Sequence, residues 1–123
     1  MKATSNESSE NYLETILILS QKLPVVRSID IANELNFSKA SVSVAMKGLR
    51  EKGDIEVSDA GFITLTKDGK AIAKMIYERH TLLTEWLIRL GVDEETAADD
   101  ACRMEHVISK KSFQALKKHI NMK

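Results

Sequence analysis

The stretch SIDIANELNFSKASVSVAMKGLR, Ser28 to Arg50, decides the fold. Ser28 stands where a helix-capping hydroxyl belongs, and Ile29, Ala32 and Leu35 follow at steps of three, which predicts a short helix with those three turned inward. Asn36 and Phe37 make a turn, and Ser38 caps the next helix, in which Val42, Ala45, Met46 and Leu49 mark an apolar stripe. Phe37 and Val42 occupy the two positions of a hydrophobic staple, which fixes how the chain runs into that helix. Two short helices joined by a tight turn, the second well capped, predict a helix-turn-helix.

Working outward, Tyr12, Leu13, Ile16, Leu17 and Leu19 recur at helical steps from Ser8 onward, after a polar tail over residues 1–7. Pro24 cannot continue that helix. On the other side, Gly53 stops the helix that began at Ser38, and Ile55-Glu56-Val57 and Phe62-Ile63-Thr64-Leu65 alternate around the turn Asp59-Ala60-Gly61. A hairpin in that place is a wing. Thr66 caps a long helix with Ile72, Ile76, His80, Leu83, Leu87 and Leu90 on one stripe and Met75, Leu82 and Trp86 beside it. Ending at Gly91, it spans about 35 Å. Asp93 caps a fifth helix whose first turn carries Glu94 and Glu95, which complement the helix dipole. A last helix from about Ser109 carries Phe113, Leu116 and Ile120. The expected fold class is mainly α, an N-terminal winged helix-turn-helix followed by a helical C-terminal part.

With 123 residues, 43% hydrophobic and 29% charged, the balance is globular rather than disordered. Eighteen basic against eighteen acidic side chains leave no net charge, so attraction to nucleic acid has to be read locally. Apolar runs are only a few residues long, which excludes a membrane-spanning helix, and the polar N-terminus lacks the apolar core of a secretory signal. One cysteine forms no internal disulfide, and the expected compartment is the cytoplasm.

Cys102, Glu105 and His106 lie at i, i+3 and i+4, so on a helix their side chains leave within about 60° of one another. A thiolate, a carboxylate and an imidazole converging in this way bind transition metals. Ala97, Ala101, Met104 and Ile108 form the adjacent apolar stripe, which turns the three groups inward or toward a crevice. The plainer alternative is a small buried cysteine beside a solvated Glu-His edge. His80 interrupts an apolar stripe and is either a further ligand or a core histidine bonded to a backbone carbonyl. Asn11 and Glu14, three apart on the first helix, read by themselves as surface. There is no Cys-x-x-Cys pair, no His-Glu-x-x-His and no glycine-rich phosphate loop, and a helical Cys102–His106 pair offers no oxyanion hole, so the expectation is that the protein is not an enzyme.

Arg27, Lys39, Lys47, Arg50 and Lys52 cluster around the helix pair, with Lys67 at the foot of the hairpin. Such residues neutralise phosphates, while Ser38 at the cap and Lys39, Ala40, Ser41, Ser43 and Val44 in the first turns face base edges. Small side chains there let the helix approach the major groove closely and promise few bidentate contacts, so DNA shape carries part of the specificity. Winged helices also serve as protein-interaction modules, the alternative for this half.

The run Asp100-Ala101-Cys102-Arg103-Met104-Glu105-His106-Val107-Ile108-Ser109 resembles the metal-binding helix of the diphtheria toxin repressor family, which includes iron-dependent repressors and the manganese transport regulator. The resemblance extends from about Asn11 to Lys118 through Tyr12-Leu13, Ile31-Ala32, Leu35, Val42-Ser43, Leu65-Thr66, Gly69, His80, Leu83 and Gly91-Val92-Asp93. It implies a cytoplasmic, homodimeric transcription repressor of metal homeostasis genes, activated by Fe²⁺ or Mn²⁺ and bound to a palindromic double-stranded DNA operator, with no organic cofactor. It divides the chain into a winged helix-turn-helix DNA-binding domain over 1–70 and a helical metal-binding and dimerisation domain over 71–123, in a short form without the SH3-like domain of iron-type members.

By the same resemblance, Cys102 matches the cysteine of iron-type members where manganese-type members have glutamate. Glu105, His106 and His80 match ligands of both types, and Glu14 matches a ligand of the manganese type. Asn11 departs from the family's aspartate or methionine and offers a weaker, neutral donor. Thr84 and Ala98 replace a carboxylate and a histidine of the iron type's ancillary site. The implied metal set is Asn11, Glu14, His80, Cys102, Glu105 and His106, and a soft thiolate with imidazole tips it slightly toward Fe²⁺. Two rivals stay open: a metal-independent winged-helix regulator answering to a small organic ligand, and a helical metalloenzyme built on the same cluster.

Overall fold

Helix signals and their stops set the architecture of the computed structural model, which describes residues 4–121. Among the described residues the order is α1 (Thr4–Lys22), α2 (Ser28–Leu35), α3 (Lys39–Lys52), β1 (Ile55–Val57), β2 (Ile63–Leu65), α4 (Lys67–Arg89), α5 (Glu94–Met104) and α6 (Lys110–Asn121). The chain is mainly α with a winged helix-turn-helix at its N-terminal end. None of these helices is long and apolar enough to cross a membrane. The polar tail expected over residues 1–7 is already helical from Thr4, and residues 1–3 lie outside the described residues. The chain divides into two compact units, Thr4–Lys74 and the residues from Met75 onward, with α4 beginning in the first and ending in the second.

The core of the first unit is built from Tyr12, Leu13, Ile16, Leu17 and Leu19 of α1, Ile31 and Ala32 of α2, Val42, Met46 and Leu49 of α3, Ile55 and Ile63 of the hairpin, and Ala73 of α4. Two expectations about α2 need correction. Its cap is Arg27 rather than Ser28: the Arg27 amide donates to Asp30 Oδ2 at 2.8 Å, so the reaching side chain belongs to Asp30. Ile31 is buried alongside the expected Ala32, while Ile29 is 39% exposed. Residues 29 and 31 lie about 200° apart around a helix, so only one of them can face the core. Asn36 ends α2 in the left-handed conformation, φ 59°, a place asparagine tolerates.

Ser38 caps α3 as expected, accepting from the Ser41 amide at 3.1 Å. Val42 is fully buried, while Phe37 is 46% exposed and meets the Tyr12 ring edge-on at 6.0 Å. Gly53, at φ 84°, closes α3 in a conformation that costs other residues a steric clash, and its amide reaches the carbonyls of Arg50 and Leu49.

The wing is antiparallel, with Ile55 opposite Leu65, Glu56 opposite Thr64 and Val57 opposite Ile63. Phe62, expected in the second strand, belongs to the turn: its amide donates to Ser58 Oγ and its carbonyl accepts from the Ser58 amide. The Ile63 amide donates to the Val26 carbonyl at 2.8 Å, which latches the hairpin to the corner before α2. At the hairpin's foot, Thr66 Oγ1 donates to the Gly53 carbonyl and accepts from the Gly69 amide, which starts α4. A Cβ on Gly69 would lie 1.9 Å from the Asp54 carbonyl oxygen, so only glycine lets the two backbones approach this closely.

The second unit buries Ile76 and Leu83 of α4, Ala97 and Ala101 of α5, and Phe113 and Ile120 of α6. Leu90, expected on the inward stripe of α4, is instead 64% exposed, since α4 has already ended at Arg89. Asp93 caps α5 through Thr96, and the Thr96 amide holds the Asp93 carboxyl below the usual carboxylate range. Ser109 precedes α6 and caps it by accepting from the Ser112 amide at 3.0 Å.

Candidate metal centre and nucleic-acid interface

The last turn of α5 sets the metal-binding chemistry. Helix α5 stops at Met104, short of the two expected helical ligands, but Glu105 keeps helical angles (φ −63°, ψ −23°) with its amide on the Ala101 carbonyl. The i, i+3, i+4 arrangement therefore survives the helix end. One donor atom from each of Cys102, Glu105 and His106 lies within 4.8 Å of the others. Their environments differ: the Glu105 side chain is fully buried, that of His106 is 7% exposed, and Cys102 is exposed rather than turned inward. Cys102 is not a core hydrophobe.

The Glu105 carboxylate has an imidazole at each oxygen: His80 Nδ1 is 2.9 Å from Oε1, and His106 Nε2 is 3.3 Å from Oε2. His80 is thus drawn to the same carboxylate rather than standing apart as a core residue. A buried carboxylate is costly unless it is bonded, paired or coordinating a metal, and thiol, carboxylate and imidazole together fit a divalent transition metal. Asn11 and Glu14 lie in the first unit on α1; Asn11 is half-buried with its backbone carbonyl accepting from Thr15 Oγ1, and Glu14 is buried rather than on the surface as its spacing alone suggested.

Sequence reasoning missed Arg79. It is 7% exposed, and its Nη1 donates to the carbonyls of Glu105 at 3.0 Å and Ile108 at 2.9 Å, with the guanidinium over the Phe113 ring. The signal was present: Arg79 falls three after Ile76 and four before Leu83, a charge on a buried helical stripe.

On the first unit, α3 buries Val42, Met46 and Leu49 and turns Lys39, Ala40, Ser41, Ser43, Val44, Lys47 and Arg50 outward. Ala40, Ser43, Val44 and Lys47 are spaced as one exposed helical stripe, with Val44 73% exposed. The hydroxyls of Ser38 and Ser41 bond to each other at 2.9 Å within the cap. Ser28, Ser43, Lys47, Arg50 and Val57 line a groove between α3 and the wing. Arg27 lies over the Phe62 ring at 4.8 Å, which holds this exposed cation beside the turn of the wing. Lys52 turns elsewhere: its Nζ donates to Ser9 Oγ of α1, so it leaves the set of cations expected around the helix pair.

Residues 5–61 match the family domain described as "Iron dependent repressor, N-terminal DNA binding domain", and residues 66–122 match "Iron dependent repressor, metal binding and dimerisation domain". The chain is 32% identical over 114 residues to the HTH-type transcriptional regulator MJ0568 of Methanocaldococcus jannaschii, covering 91% of each. It is also 32% identical over 116 residues to the transcriptional regulator MntR of Escherichia coli O6:H1, covering 94% of this chain and 75% of that one. The crystal structure of the metal-dependent transcriptional regulator MtsR superposes with a TM-score of 0.86 at 25% identity, over 94% of this chain and 54% of that one. The present chain therefore spans about half the length of MtsR. The curated relatives are transcriptional regulators, and both domains of the family are matched in order. The chain belongs to the iron-dependent repressor family of metal-dependent transcriptional repressors, with a DNA-binding N-terminal domain and a metal-binding, dimerising C-terminal domain.

Proposed function

We propose that this protein is a repressor of metal homeostasis genes that binds a palindromic operator as a homodimer when Fe²⁺ or Mn²⁺ is bound. The observation that carries the reading is the buried Glu105 carboxylate with an imidazole at each oxygen and the Cys102 thiol one turn before it. His80, Cys102, Glu105 and His106 would hold the ion, and Glu14, with Asn11 as a weaker neutral donor, is proposed from the sequence pattern to join them. Bound there, a divalent cation supplies the positive charge that lets these anionic and imidazole groups share one site. The thiolate favours Fe²⁺ slightly, whereas SloR, 26% identical, is described as a manganese regulator. Thr84 and Ala98 offer neither carboxylate nor imidazole, which favours a single ion per subunit.

On the DNA side, Arg27, Lys39, Lys47 and Arg50 neutralise phosphates, while Ser38, Ala40, Ser41 and Ser43 at the start of α3 approach the bases. A dimer places two such helices in half-sites about 34–36 Å apart. Drawing ligands from α1 together with those of α4 and the end of α5 narrows the spacings the two recognition helices sample, and that links metal to operator. Operator binding measured anaerobically with and without Fe²⁺ or Mn²⁺ tests this. The expected coupling is about 1–3 kcal/mol, roughly 5- to 150-fold in affinity. Equal affinity in both conditions rejects it.

A further inference from the structure

The turn that carries Glu105 and His106 is held from outside α5 as well as from within it. Helix α5 ends without glycine: Glu105 stays right-handed, and the amides of Val107 and Ile108 both return to the Met104 carbonyl. The Glu105 carbonyl stands at the C-cap of α5, and the Ile108 carbonyl at the far end of the turn that leads to α6. Both are taken by one nitrogen of Arg79, at 3.0 and 2.9 Å. Its guanidinium lies over Phe113 of α6, 5.3 Å from the ring centre, so the end of α5 is capped from α4 and backed by α6. A cation at a helix C-terminus also meets the negative end of the dipole.

Arg79 and His80 are neighbours on α4, and they grip the same residue. Arg79 holds the Glu105 backbone carbonyl and His80 meets the Glu105 carboxylate. With backbone and side chain both fixed, Glu105 has one orientation, and the positions of Cys102 before it and His106 after it follow from that orientation. We infer that Arg79 is the positioning residue of the metal centre: it sets the α5–α6 turn so that Cys102, Glu105 and His106 converge before any ion arrives. It touches no ion itself. Its charge is spent on two carbonyls and an aromatic face, and so is turned away from a cation site that it would otherwise oppose.

The inference rests on the proposed metal reading, and the test separates the two. Wild type, Arg79→Met and Arg79→Lys are titrated anaerobically with Co²⁺, following the Cys102 thiolate-to-cobalt absorption and the d–d bands, each at a temperature well below its own metal-free melting point. Methionine keeps the stem and removes every donor, so binding at least tenfold weaker with an altered spectrum is expected. Lysine restores charge and donors but not the flat face that lies on Phe113, so an intermediate, roughly threefold to tenfold, weakening is expected. In the metal-free protein, amide exchange of Val107 and Ile108 should quicken in Arg79→Met while that of Leu83 and Ile120 stays unchanged. A residue that merely stabilises the fold would quicken all four. Wild-type affinity and spectrum in a folded Arg79→Met overturn the inference. Should that variant not fold, Arg79→Lys decides: at least threefold weaker binding supports it and unchanged binding overturns it. A wild type that binds no Co²⁺ fails the metal reading itself.

Discussion

Lys47 sits on the exposed stripe of α3 beside Ser43, one turn from Arg50 and on the rim of the groove against the wing. A single ammonium on a flexible stem suits a phosphate as a point charge. Lys47→Ala is therefore expected to weaken binding to operator and to unrelated duplex alike, and to lower the slope of log affinity against log salt by about 1. Fluorescence anisotropy at several salt concentrations checks this, and a change of sequence preference at constant slope would assign Lys47 to a base instead. His106 makes the contrasting case on the second unit: its side chain is 7% exposed and lies 3.3 Å from Glu105 Oε2, and the proposed role for it uses its ring nitrogens rather than net charge.

Among the elements, the junction of hairpin and α4 has the least tolerance. Thr66 is bonded both to Gly53 at the end of α3 and to Gly69 in the first turn of α4, and the Asp54 carbonyl leaves no room for a methyl at residue 69. Alanine is the better helix former elsewhere, but here the obstacle is backbone, which cannot swing aside as a side chain does. Gly69→Ala is expected to destabilise the protein by about 1–3 kcal/mol, read as a lower urea midpoint. Helix α5 depends on its cap in another way. The carboxyl of Asp93 is held below the usual carboxylate range chiefly by the Thr96 amide, so its stabilising effect is present at neutral pH and is lost as the pH falls through that lowered value. The melting difference between wild type and Asp93→Ala should accordingly shrink on acidification; a difference constant into strong acid would contradict the ionised cap.

For the whole molecule, metal binding is linked to stability. An ion held only by the folded protein raises its unfolding free energy by about 2.7 kcal/mol at a hundredfold excess over Kd. Mn²⁺ or Fe²⁺ should raise the melting temperature reversibly, with a chelator undoing the rise, and His106→Ala should lose the rise while its metal-free melting stays close to wild type. Collapse of the metal-free variant would make His106 a structural residue. Much of this architecture is legible along the chain because it is local: Ser38, Gly53, Thr66 and Asp93 mark helix limits through contacts within a few residues. The triplet Cys102, Glu105 and His106 is legible for the same reason. For Arg79 only the inward placement is legible: its partners stand 26 and 29 residues away, and periodicity cannot say that a charge will find two carbonyls there. Ile29 and Ile31 are equally apolar, and only the packing of α2 against its neighbours decides which is buried. The bond from Ile63 to Val26 ties the wing to a corner distant from it in sequence. Strands of three residues do not persist alone in water. The wing therefore depends on what it is fastened to, and a substitution that reopens the corner behind Pro24 is expected to loosen the wing as well.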